Sequence, residues 1–267
     1  MPLRTRINKA LAKATGYQIV RAKAKPKPTA KAQNQAGGTV KEETFPADYD
    51  EAALPILRAA RPYTMTRREK RYALYLATRH VARHEIPGAI VECGVWRGGS
   101  MHVVARTLLA VGDTSRDLYL FDTFDGMTEP TDKDVTYGGK PVAELMSARD
   151  RTAWIWAVAS LEDVKQGFEA IPYPSEKIHY VKGPVESTLP DNAPDEIAIL
   201  RLDTDWYEST RHELEVLYDR LVPGGVLIID DYGTYRGSKQ AVDEFLEKTR
   251  ARLLLLPIGP GRIAIKP

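Results

Sequence analysis

From residue 66 onward the chain alternates between two apolar patterns. Short Val/Ile/Leu-rich runs stand at AIVEC (89–93), LYLFD (118–122), KIHYV (177–181), IAILRLD (197–203) and GVLIID (225–230). Helical patterning fills 66–84, 100–110, 161–170, 207–221 and 237–250. Strands apolar on both faces, alternating with helices, indicate a parallel sheet covered on both sides. The C-terminus departs from this pattern: LLLLPI (253–258), the turn GPG (259–261) and RIAIK (262–266) read as a β-hairpin. The predicted fold class is therefore α/β: seven strands, mostly parallel, closing in an antiparallel hairpin, with helices on both faces.

Upstream the pattern breaks. Ile7, Ala10, Leu11 and Ala14 fall on one face of a short helix over 4–15, and Gly16 is a stop signal. Residues 22–39, AKAKPKPTAKAQNQAGGT, offer nothing to bury and read as a linker. The 267 residues suit one large domain with a tail. The expected division is a tail and linker over 1–40 and one domain over 41–267.

Charge sharpens this division. The net charge of +2 hides nine Lys/Arg and no Asp/Glu in residues 1–40, against 29 basic and 36 acidic residues in the rest, a net of −7. An acidic body argues against nucleic acid as partner. The basic tail is expected to be a solvated extension. A single cysteine, Cys93, allows no internal disulfide and fits a reducing compartment. No apolar run spans a membrane and no secretory signal is visible, so a cytoplasmic location is expected.

Ligands of such sheets bind at the carboxyl ends of the strands. Those ends carry Glu92, Asp122, Lys182, Asp203 with Asp205, and Asp230 with Asp231. After the first strand, VECGVWRGGS (91–100) supplies a turn through Gly94, Gly98 and Gly99 that opens a helix. A phosphate would be disfavoured beside Glu92; a carboxylate there suits an ammonium or a sulfonium-bearing amino acid. Ser100 is placed for that ligand's own carboxylate. Asp122, at the end of the second strand, is placed for ribose hydroxyls, and Phe124 for an adenine face. An adenosine with an amino-acid tail and no phosphate is S-adenosylmethionine.

The other end of the rim is richer in acid. A crossover over 206–224 makes the fourth and fifth strands neighbours, bringing Asp203, Asp205, Asp230 and Asp231 together. Hard oxygen donors without His or Cys select Mg²⁺ or a similar ion. Asp203, Asp230 and Asp231 are the candidate ligands, and Asp205 is the candidate base that takes a proton from a substrate hydroxyl. Two like charges side by side at Asp230 and Asp231 also require something positive nearby.

Seven ordered motifs carry a resemblance: YTMT (63–66), VECGVWRGGS, LYLFDTFDGM (118–127), ASLEDVK (159–165), VKGPVESTLP (181–190), LRLDTDWYEST (200–210) and GGVLIIDDYG (224–233). Together they resemble the macrocin-type (TylF) and novobiocin-type sugar O-methyltransferases over about residues 60–250. The resemblance implies a Rossmann-like class I methyltransferase sheet, S-adenosylmethionine and Mg²⁺. It implies Met65 over the cofactor, with Glu92, Cys93, Gly94, Val95, Trp96 and Ser100 at its methionine end. Asp122 holds the ribose, with Thr123 and Phe124 beside it. Ser160, Glu162 and Asp163 border the adenine and Gly183 the cofactor edge. Asp203, Asp230 and Asp231 match the metal ligands and Asp205 the proton acceptor. The family precedent favours a homo-oligomer.

The expected reaction is methylation of a hydroxyl on a small-molecule or glycosylated acceptor, a sugar on a natural product or polysaccharide. Segment 128–158 is expected to fold over that acceptor, where Trp154 and Trp156 stack on a sugar or pack a lid. A phenol- or catechol-type acceptor is the nearest alternative. A different class follows from Tyr235 and Lys239, whose Y-x-x-x-K spacing belongs to NAD(P)-dependent short-chain oxidoreductases. A non-enzymatic tether is a third, against which the complete acid set argues.

Overall fold

The computed structural model describes residues 43–267. The helix expected over 4–15 and the linker over 22–39 lie outside the described residues. Seven strands form one sheet: β1 Ala89–Cys93, β2 Leu118–Asp122, β3 Ile178–Lys182, β4 Ile197–Leu202, β5 Leu221–Ile229, β6 Leu256–Ile258 and β7 Gly261–Ile265. Their order is β3-β2-β1-β4-β5-β7-β6. The first five run parallel, and β7 is antiparallel to both β5 and β6.

Eight α-helices accompany the strands among the described residues: α1 Ala53–Ala60, α2 Arg68–Arg83, α3 Gly99–Val111, α4 Val142–Ser147, α5 Leu161–Phe168, α6 Val185–Thr188, α7 Tyr207–Leu217 and α8 Arg236–Thr249. α1, α4 and α6 are short, and sequence periodicity does not announce them. β5 begins four residues earlier than its apolar run, because Leu221 already pairs with Ile197. None of these helices is long and apolar enough to cross a membrane.

The strands are apolar throughout because both faces are covered. Ile90, Ile199, Val226 and Ile228 pack with residues of α1, α2, α3 and α5. Their chain neighbours Val91, Leu200, Leu227 and Ile229 pack against α7 and α8 on the opposite side. This alternation is the ordinary period of a strand, and it sorts the acids at the strand ends onto two faces.

Beyond the strands the ladder continues for one more bond. Asp203 N donates to Cys93 O at 2.8 Å, Asp230 N to Leu202 O at 2.9 Å, and Gly183 N to Asp122 O at 2.9 Å. The residues at the rim are thus held by the register of the sheet.

Candidate active site

A cavity of about 510 Å³ opens over the carboxyl ends of the parallel strands. Left-handed backbone gathers there: Trp96 (φ 48°), Phe124 (φ 49°) and Asp205 (φ 70°) follow β1, β2 and β4, and Gly183 (φ 142°) follows β3. Left-handed non-glycine residues are costly and persist where surrounding structure enforces them. Gly94 shows why a glycine is required after β1: a Cβ there would lie 2.1 Å from Asp203 O. The glycine turn and the acid rim are packed on each other.

Of the residues expected at the cofactor, Met65, Gly94, Trp96, Asp122, Thr123 and Gly183 line the cavity. Asp122 is also a scaffold. One carboxylate oxygen accepts from Val95 N at 2.7 Å and Trp96 N at 3.0 Å, and the other from Phe124 N at 2.7 Å. It therefore shapes the turn whose amides surround it.

The others do not line it. Cys93 is buried between the sheet and its covering helices, and Val95 and Phe124 pack in the core on the α3 face. Ser160 and Asp163 form a reciprocal capping box that starts α5, and Glu162 stands exposed in the same turn. Ser100 is buried next to Glu92.

Glu92 is 1% exposed and faces a cation belonging to the protein itself. Its register partner on β4 is Arg201, likewise buried, whose Nη1 lies 2.5 Å from Glu92 Oε1 and 2.7 Å from Asp203 Oδ2. Arg201 Nη2 lies 2.6 Å from Asp230 Oδ1. Lys70 of α2 also pairs with Asp230, and donates to its backbone oxygen at 2.9 Å. Burial raises the Glu92 pKa to about 7 although Arg201 opposes it. Burial also acts to raise Asp230, but Arg201 and Lys70 outweigh it and hold that carboxyl below its usual range.

Adjacent Asp230 and Asp231 therefore have different surroundings. Asp230 has the face of Arg201 and Lys70. Asp231 meets Asp205, and its Oδ2 is buried with no hydrogen-bond partner. One carboxylate oxygen from each of Asp203, Asp205 and Asp231 falls within 4.8 Å of the others. Burial, then the neighbouring carboxylates, raise Asp203 and Asp231 well above the usual range, and burial pushes Asp205 up to about 7. Crowded acids with an orphaned buried oxygen are what a divalent cation would relieve, and the all-oxygen donor set fits Mg²⁺.

The 128–158 segment closes one side of the cavity through Thr128, Trp154 and Ala157. Its anchor is Asp134, 1% exposed, which accepts from Thr131 N at 2.7 Å, Thr131 Oγ1 at 2.9 Å and Tyr207 N at 2.8 Å, the last being the first amide of α7. Trp206 Nε1 donates to Thr128 O at 3.0 Å. Trp154 is 64% exposed at the mouth, whereas Trp156 packs into the segment and donates to Arg149 O at 3.3 Å.

The pattern Tyr235 to Lys239 does not assemble as a pair. Lys239 is bound to Asp243, and Tyr235, the N-cap of α8, stands against the Trp206 ring with centroids 5.2 Å apart. Sequence reasoning missed Lys70, Arg201 and Asp134. For Arg201 a signal existed, since a lone cation inside IAILRLD must find carboxylates once both faces of the strand are buried. Lys70, in the charged run RREKR, carried none.

The macrocin O-methyltransferase (TylF) family model matches residues 8–257, and the chain belongs to that family. It is 38% identical over 147 residues to the 8-demethyl-8-(2,3-dimethoxy-α-L-rhamnosyl)-tetracenomycin-C 4′-O-methyltransferase of Streptomyces olivaceus, covering 55% of this chain and 54% of that protein. It is 33% identical over 168 residues to the demethyldecarbamoylnovobiocin O-methyltransferase of Streptomyces niveus, covering 63% and 62%. The chain thus matches between about half and two thirds of the length of these relatives. Among solved structures it is similar to the O-methyltransferase NovP, with TM-score 0.68 and 30% identity over 76% of this chain and 82% of that one. The calicheamicin methyltransferase CalS11, at 18% identity and TM-score 0.57 over 88% and 99%, shares the fold. The sheet is thus the Rossmann-like class I methyltransferase sheet.

Proposed function

We propose that this protein transfers the methyl group of S-adenosylmethionine to a sugar hydroxyl on a natural product or polysaccharide, with Mg²⁺ as cofactor. The observation that carries this reading is the carboxylate rim packed directly on the glycine turn inside one cavity, in a chain of this family. The similarity to two enzymes named for antibiotic O-methylation supports the sugar acceptor.

Asp203, Asp230 and Asp231 are the proposed metal ligands. Bound Mg²⁺ would make a nearby hydroxyl more acidic by stabilising its conjugate base. A second reading takes Asp205 as third ligand in place of Asp230, because the clustered oxygens are those of Asp203, Asp205 and Asp231 while Asp230 already faces two cations. In the first reading Asp205, whose carboxyl is pushed up to about 7, takes the acceptor's proton. Met65, Gly94, Trp96, Asp122 and Gly183 bind the cofactor from the turn side, and Trp154 meets the acceptor at the mouth. Holding donor and acceptor in one cavity supplies much of the acceleration.

The five carboxylates Glu92, Asp203, Asp205, Asp230 and Asp231 face two resident cations, Lys70 and Arg201. Fully ionised, this set would carry three negative charges beyond those two cations, which one divalent ion and one sulfonium would balance. Calorimetric titration with S-adenosylmethionine and with NADPH, each with Mg²⁺ and with chelator, tests the reading. Binding of the first and not the second is expected, followed by release of S-adenosylhomocysteine with a glycosylated acceptor. Failure to bind S-adenosylmethionine overturns it.

A further inference from the structure

α7 buries Tyr207, Ser209, Thr210, Glu213, Leu214 and Leu217. Glu213 thus occupies a place in the buried stripe where an apolar residue would be expected. It is 0% exposed, and neither carboxyl oxygen has a hydrogen-bond partner. Buried polar groups without partners are rare because desolvation is then uncompensated. The group beside it is Thr204, whose Oγ1 is also buried and unpartnered. One hydrogen bond between them would satisfy the Thr204 hydroxyl and one of the two carboxyl oxygens. Thr204 stands between Asp203 and Asp205, in a turn closed by Trp206 N donating to Thr204 O at 2.8 Å. The left-handed backbone of Asp205 follows at once.

We propose that Glu213 is a positioning residue of the acid rim: through the Thr204 hydroxyl it fixes the Asp203–Thr204–Asp205 turn and so the placement of Asp205 against Asp231. Burial holds the Glu213 carboxyl well above its usual range, which makes it a donor as well as an acceptor. Cys93, at the end of β1, backs the same spot. An aliphatic residue here would suit the core better, so the acid serves the turn rather than the packing. This inference rests on the proposed metal-assisted reaction for its importance, although the geometry it asserts does not.

The test uses the full chain as wild type, Glu213→Gln, Glu213→Leu and Thr204→Val, titrated calorimetrically with Mg²⁺ alone, with crystal structures of the wild type and Glu213→Leu. Glu213→Leu and Thr204→Val should each weaken Mg²⁺ binding about tenfold or more, as supporting residues of metal ligands do, while Glu213→Gln stays within about twofold. Melting temperatures should not fall in Glu213→Leu, and the double variant should be no worse than either single one. In the Glu213→Leu crystal Asp205 should leave its left-handed conformation or move away from Asp231. Wild-type Mg²⁺ affinity with an unmoved Asp205 overturns the proposal. A wild type that binds no Mg²⁺ overturns the metal reading instead, and the position of Asp205 in the Glu213→Leu crystal then decides this one. Should that variant not fold, Thr204→Val and Glu213→Gln still separate a hydrogen-bonding role from a packing one.

Discussion

Arg201 Nη1 stands 2.5 Å from Glu92 Oε1 at matched positions of β4 and β1, where neither side chain reaches solvent. The same guanidinium holds Asp203 and Asp230, so one cation fixes three acids on three neighbouring strands. Removing one member of a buried charge set costs about 3–5 kcal/mol, because the others lose their compensation. Arg201→Met should lose stability on this scale in urea unfolding, and adding Glu92→Gln should recover part of the loss. A double variant no more stable than the single one would remove Glu92 as the partner that matters.

Asp205→Asn should retain S-adenosylmethionine binding and lose most of its turnover. In the wild type, turnover should rise with pH as the carboxyl becomes a base, with a midpoint below the value of about 7 that burial sets in the metal-free rim, because bound Mg²⁺ would lower it. Residual activity of the variant should not show that limb. Wild-type turnover in Asp205→Asn would exclude it as the proton acceptor.

The third metal ligand is decided by two titrations. Asp230→Ala should weaken Mg²⁺ binding strongly and Asp205→Asn only modestly. The reverse order would establish the alternative set of Asp203, Asp205 and Asp231.

Stability should depend on pH in a stated direction. Burial pushes Glu92 and Asp205 up to about 7, so the metal-free fold keeps protons that the unfolded chain releases near its ordinary carboxylate value. The fold binds more protons in that window, and stability therefore falls as pH rises from about 4 to about 7. Asp230 is held low and acts oppositely, but below that window. In chelator the melting temperature should fall by about 5 °C between about pH 5 and about pH 8, and Mg²⁺ should restore more at the higher pH. A flat profile with no Mg²⁺ effect would contradict this account of the rim.

Asp134→Ala should free the 128–158 segment from the start of α7. Hydrogen exchange should speed up across that segment and hardly at all in the sheet, with a cost of about 1–3 kcal/mol from the unsatisfied amides. Equal exchange in both proteins would mean that other contacts hold the segment.

Strand positions and the site's location were legible because they rest on local rules. Runs such as AIVEC and LYLFD read the same in any environment in which both faces are covered, and β1 and β2 keep those bounds. The sequence by itself also determined that Asp203, Asp205, Asp230 and Asp231 share one rim, since strand ends and a right-handed crossover suffice for that. Only the tertiary structure decided what each acid faces. Alternation at the end of β5 gives Asp230 two cations and leaves Asp231 with an orphaned oxygen beside Asp205. It put Glu92 on Arg201, 109 positions away in the chain, and Asp230 on Lys70, 160 positions away. A pattern along a chain records which residues want burial or charge compensation. Which partner supplies it depends on register and helix packing, and these form only when distant segments meet.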